Sequence, residues 1–149
     1  MRAIGWLLAA GAIAAVGGAL AADVPPDGVV VVGDAIPQPL TDEPADAARG
    51  KALLVLREAA NCVLCHAVPA PEVRFHGDVG PTLAGAGKRF TAPQLRLRIV
   101  DMQRVNPATI MPSYYRTQGL DRVAAQYRGK PILGAREVED LVAYIATLQ

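Results

Sequence analysis

Near the end of the chain the apolar positions fall at Val138, Leu141, Val142 and Ile145. That is the three-and-four spacing of a helix that buries one stripe. It predicts a helix over roughly Arg136 to Leu148, packed against another element. A second apolar face, Leu95, Ile99 and Met102, follows Thr91-Ala92-Pro93-Gln94, a capping-box pattern with proline just inside the start. Pro107 stops this helix, because it pushes Asn106 out of the helical region. An earlier run, DAARGKALLVLREAAN over residues 46–61, predicts a first helix opened by Pro44 and Asp46. Neither an internal repeat nor a strand–helix alternation interrupts the pattern, which predicts a small all-α domain. Long segments around 63–90 and 106–135, rich in Pro and Gly, carry no period. A body of about 100 residues can bury a core, but loops of this length leave that core underfilled. Some further group is expected to occupy its middle.

The start of the chain has a different pattern. Residues 3–22 carry no charge, Arg2 precedes them, and Ala19-Leu20-Ala21 has the A-x-A form of a signal-peptidase site. Residues 1–21 are therefore expected to be a signal peptide, cleaved after Ala21. The competing reading is an uncleaved anchor, since the run approaches the ~20 residues of a membrane span. Its many Ala and Gly residues make it a poor span, so export is the expectation, with no membrane contact after cleavage. Residues 22–45 are expected to form an extended, acidic, proline-rich arm. Prolines 25, 26, 37, 39 and 44 forbid a continuous helix there, and Val29 to Val32 suit one short strand. Such an arm either stays disordered or lies along a partner. Residues 46–149 form the domain.

Charge sharpens this division. Residues 22–48 hold six acids and no base, whereas Arg49 to the end holds 14 bases and eight acids. Between Lys88 and Lys130 nine bases face only Asp101 and Asp121. Without interleaved aromatics, an exported chain of this kind is not expected to bind nucleic acid. Its basic run is either a solvated face or a docking field for an acidic protein.

Both cysteines and both histidines lie in NCVLCHAVPAPEVRFHGDVGPTL, residues 61–83. Two thiols separated by two residues and followed by an imidazole allow three readings. A redox pair of the thioredoxin kind belongs beside a βαβ pattern, and none is present. A zinc site needs four ligands, which Cys62, Cys65 and His66 or His76 could supply only with a cramped geometry. Cys62-Val63-Leu64-Cys65-His66 matches C-x-x-C-H, the attachment signature of haem c. Each thiol adds to one vinyl group of the porphyrin, and the next residue is carried under the ring to place imidazole on iron. One covalently attached haem c is the expected cofactor.

The iron's sixth position then decides what the haem can do. His76 follows His66 by ten residues and would have to cross to the other face of the ring, so a surface histidine is expected. Met102 shares the stripe of Leu95 and Ile99, and core packing accounts for it. Met111 sits in Asn106-Pro107-Ala108-Thr109-Ile110-Met111-Pro112, where two prolines favour a fixed presentation of its sulfur. Methionine is more often a core filler than a ligand, but here Met111 is the expected distal ligand. Thioether ligation raises the reduction potential and leaves no open site for substrate, which suits electron transfer. A ligating histidine usually donates its other N–H to a carbonyl; Gly80-Pro81-Thr82-Leu83 is the expected source, with the Pro81 carbonyl facing His66. Arg96, Arg98, Tyr114 and Tyr115 are candidates to hold the haem propionates.

The order CxxCH, GPTL, MP and a final EVEDLVAYIATL helix resembles the layout of class I cytochromes c over roughly residues 46–149. More specifically, NCVLCHAVP, VGPTLAGAGKRF, NPATIMPSYYR and GKPILGAREVEDLVAYIATLQ are similar to the SoxX family, the monohaem subunits of SoxAX cytochromes in periplasmic sulfur oxidation. The resemblance implies a class I fold and a heterodimer with a SoxA-type cytochrome. It further implies a complex, an L-cysteine S-thiosulfotransferase, that oxidatively joins thiosulfate to a carrier-protein cysteine and releases two electrons. In that family the sulfur chemistry belongs to the SoxA haem, so a SoxX-like chain would be a non-catalytic subunit. It would pass electrons to a downstream acceptor such as another cytochrome c. Carried over by residue, Cys62 and Cys65 are the thioether links, His66 the proximal ligand and Met111 the distal one. Gly50 stands twelve residues before Cys62, about one turn further than in the shortest class I cytochromes. Two rivals are kept: a free-standing periplasmic electron shuttle, and a small peroxidase acting at its own haem.

Overall fold

The computed structural model describes residues 22–149. The expected signal peptide, residues 1–21, lies outside them. Among the described residues no helix is long and apolar enough to cross a membrane. The described residues hold four α-helices: α1 Ala47–Val55, α2 Ala86–Arg89, α3 Ala92–Asp101 and α4 Ala135–Ala146. Short 3-10 turns stand at Pro26–Gly28, Cys62–Leu64, Met102–Arg104 and Ala125–Tyr127.

The centre of the fold is the crossing of α1 with α4, and two residues make it close. Asp46 caps α1, its carboxylate accepting from the backbone N–H of Ala48 at 2.7 Å and of Arg49 at 3.1 Å. These same bonds hold the Asp46 carboxyl below its ordinary range. One turn on, Gly50 is buried against α4, where a β-carbon would stand 1.9 Å from the Asp140 carbonyl oxygen. The extra turn between Gly50 and Cys62 has therefore not displaced the glycine from the C-terminal helix.

Helix α4 contributes Val138, Leu141, Val142 and Ile145 to the core, as its spacing predicts. It also buries two consecutive acids, Glu139 and Asp140. Successive helical residues are turned by about 100°, so the two carboxylates reach different neighbours. Asp140 accepts from Arg49 Nε at 2.7 Å on α1. Glu139 takes a bidentate pair from Arg96 on α3, at 2.6 and 2.8 Å. Helices α1 and α3 are thus each oriented on α4 by a charged pair as well as by packing.

Two element boundaries and one cap differ from the expected ones. Helix α1 ends at Val55, not at the motif; residues 57–60 are turns and Asn61 is left-handed at φ 54°. Helix α3 ends at Asp101, ahead of the stop expected from Pro107, and Met102 begins a 3-10 turn. The capping box of α3 is half formed: the Gln94 side chain accepts from the Thr91 backbone N–H at 3.0 Å, and the Thr91 hydroxyl turns to that same oxygen at 3.1 Å.

The arm is extended, as its prolines require, but it folds on its own chain. Val29 to Val32 contributes only one isolated bridge, Val32 to Ala35. Ile36 N donates to the Pro93 carbonyl and Val24 N to the Leu40 carbonyl, at 3.0 and 2.7 Å. Ile36 and Leu40 are buried in the common core. Two of the arm's five acids pair within the molecule, Asp34 with Arg98 at 3.3 Å and Glu43 with Arg136 at 2.9 Å.

Candidate cofactor site

The motif turn is built from backbone. Asn61 tolerates the left-handed region better than most residues, and there it turns the chain into the 3-10 turn Cys62–Leu64. The N–H groups of Cys65 and His66 both donate to the Cys62 carbonyl, at 3.2 and 3.0 Å. Val63 points into the core and Leu64 outward. Cys62, Cys65 and His66 then share one side and line a cavity of about 440 Å³. That volume lies within the ~300–1,000 Å³ common for ligand sites. Its walls are largely apolar, with Leu83, Leu95, Ile99, Leu141 and Ile145 among them. This is the underfilled core that the irregular loops imply.

A second segment runs beside the motif and fixes the imidazole. Gly77 N donates to the Val63 carbonyl, Gly80 N to Cys65 and Leu83 N to Ala67, at 2.9, 2.8 and 2.8 Å. This register brings the Pro81 carbonyl 2.7 Å from His66 Nδ1. A carbonyl only accepts, so Nδ1 carries the proton and Nε2 keeps its lone pair for a metal. Gly80 lies under the ring: a β-carbon there would stand 2.4 Å from His66 Cε1.

Burial pushes the Cys62 thiol up to about 11. A reactive redox cysteine has the opposite shift, so this pair is not set up for disulfide exchange. Among the described residues no three His, Cys, Asp or Glu side chains converge to hold a metal ion, which removes the zinc reading. Two thiols, one tautomer-fixed imidazole and an apolar cavity fit a covalently attached haem.

Both Met102 and Met111 line this cavity. Met102, at the start of the 3-10 turn after α3, shares that lining with Leu95 and Ile99, the other residues of its expected stripe. His76 is exposed and does not belong to the lining. Of the four propionate candidates, Arg98 and Tyr114 reach the cavity. Arg98 stacks over the Phe90 ring at 4.2 Å, and the Tyr114 hydroxyl donates to the Ala60 carbonyl at 2.7 Å, just ahead of Cys62. Arg96 is committed to Glu139 and to the Ile36 carbonyl, and the Tyr115 hydroxyl donates to the Val24 carbonyl. Neither of these two is placed for a propionate. Phe90, the last residue of VGPTLAGAGKRF, also lines the cavity.

A cavity with these donors, enclosed by α-helices and long loops, defines a c-type cytochrome. The cytochrome c family model matches residues 47–149, and the chain belongs to that family. It carries one covalently bound haem c. It is also similar to one chain in the crystal structure of SoxXA from P. pantotrophus, with 35% identity and a TM-score of 0.79. That match covers 85% of this chain and 98% of the other. Within the cytochromes c the chain is of the SoxX type. No curated protein sequence matches it.

Proposed function

We propose that this chain is the electron-accepting haem c subunit of a periplasmic, thiosulfate-oxidising complex with a SoxA-type cytochrome. The observation that carries the reading is the extent of the likeness to the SoxXA chain. It covers 85% of this chain, more than the segment from residue 47 onward, so it continues into the arm that precedes the cytochrome domain. Generic cytochromes c do not require such an arm.

When bound, the haem supplies one-electron storage. The residues of this chain attach it, ligate it and keep water away. Cys62 and Cys65 are the thioether links and His66 the proximal ligand, with its Nδ1 proton held on the Pro81 carbonyl. Met111 is the distal ligand. Its backbone N–H donates to Thr109 Oγ1 at 3.1 Å, which stiffens the short stretch between the two prolines. With both axial positions held by protein, oxidation of sulfur belongs to the partner, and this chain relays electrons to an acceptor such as another cytochrome c. The chain is exported by residues 1–21 and acts in the periplasm.

The test is purification of a tagged chain from periplasm, with every denatured band stained for haem. A second haem protein in fixed ratio, and reduction of this chain's haem on adding thiosulfate and the carrier protein, is the expected result. A single haem band would make the chain a stand-alone electron shuttle and overturn the complex.

A further inference from the structure

The segment 102–116 leaves α3, carries Met111 along the cavity and returns to the same helix end. On the way back Tyr114 N donates to the Ile99 carbonyl and Tyr115 N to Val100, at 3.2 and 3.3 Å. These bonds satisfy carbonyls that the last turn of a helix leaves without partners. The neck of the excursion is closed by one buried carboxylate. Asp101, 4% exposed, is the last residue of α3. Its Oδ1 accepts from the Ser113 hydroxyl at 2.8 Å. Its Oδ2 faces Arg116 Nε at 2.9 Å and Arg104 Nε at 3.6 Å. Ser113 is itself buried and follows Met111 by two residues.

Arg116 Nε is buried and, among the described residues, has no hydrogen-bond partner of its own, so the Asp101 carboxylate is the charge that faces it. What Asp101 adds is a tie between three parts of one loop: its outgoing turn through Arg104, its return through Arg116, and the residue beside the Met111–Pro112 corner through Ser113. We propose that Asp101 is a positioning residue for the distal side of the haem. Through Ser113 it holds the loop closed, so that the Met111 sulfur stays at its site and other ligands are kept out. This inference rests on the assignment of Met111 as distal ligand.

The physical consequence is a change in population. A loop that opens exposes a position that an added ligand takes, and the apparent affinity of that ligand scales with the open fraction. Losing one hydrogen bond to a buried charged group raises that fraction by about tenfold.

The experiment uses the oxidised holoprotein and imidazole as probe. Ser113→Ala removes the tie to the loop and leaves Asp101 with its arginines, so it keeps the fold; Asp101→Ala removes all three ties. The long-wavelength sulfur-to-iron band is expected to survive in Ser113→Ala without added ligand. Imidazole is expected to displace it at about one tenth of the wild-type concentration. Asp101→Ala should be at least as sensitive. Imidazole titrations of Ser113→Ala within twofold of wild type would overturn the proposal, whatever Asp101→Ala does. Met111→Ala separates this inference from its premise. If that variant keeps the band, the ligand assignment fails; if it loses the band while Ser113→Ala is unchanged, only the role of Asp101 fails.

Discussion

The site depends on close approach more than on reach. His66 is held from below by Gly80, with no room for a side chain, and from the side by the Pro81 carbonyl. The Gly80 backbone cannot retreat, because its N–H is bonded to Cys65 within the motif itself. In Gly80→Ala the imidazole must move, lengthening the bond to Pro81 and tilting Nε2. Overpacking of this kind costs about 1–3 kcal/mol. The variant is expected to melt lower and, when reduced, to bind carbon monoxide that the wild type excludes. A reduced spectrum unchanged under carbon monoxide would show that the ring is not gripped there. The residue scale is also where the sequence was most legible. C-x-x-C-H and GPTL are local, so the register that brings Pro81 to His66 follows from a short stretch of chain. Asp101 and Ser113 are twelve residues apart, and each in isolation is an ordinary polar residue. Only the folded loop puts them in contact.

Among the elements, α1 and α4 set the dimensions of the molecule. At Gly50 two effects oppose each other. Alanine gains about 1 kcal/mol of helix propensity over glycine. Against this, a β-carbon 1.9 Å from the Asp140 carbonyl meets backbone that Arg49 and the Asp46 N–H already fix by their bonds to the Asp140 carboxylate. The clash should win, so Gly50→Ala is expected to lower the urea midpoint despite the better propensity. A raised midpoint would mean that the crossing has slack. The helices themselves were legible because period and punctuation agree: Val138, Leu141, Val142 and Ile145 are all buried, and Pro93 opens α3. The boundaries were less so. Helix α1 stops at Val55 although good helix formers follow, since the chain must turn at Asn61 to present the cysteines. Helix α2 is four residues long, too short for any periodicity to reveal.

At the scale of the whole molecule, the acidic arm meets the basic body at two ion pairs. Asp34 meets Arg98 and Glu43 meets Arg136, but both acids are exposed. Pairs of this kind contribute about 0–1 kcal/mol each and weaken in salt. The stronger hold is apolar and buried. Leu40 is 1% exposed, and its N–H donates to Glu139 Oε1 at 2.9 Å, on the carboxylate that Arg96 grips. Replacing a buried leucine by alanine costs about 2–5 kcal/mol, several times what the surface pairs supply. Leu40→Ala is therefore expected to unfold at markedly lower urea, while 0.5 M sodium chloride, a test concentration chosen because screening at about 1 M reaches ~3 Å, should move the wild-type midpoint little. No arm residue lines the haem cavity, so the visible spectrum of folded Leu40→Ala should match the wild type. If salt destabilised the wild type as much as Leu40→Ala does, charge would be holding the arm, and a basic face would be uncovered whenever the arm let go.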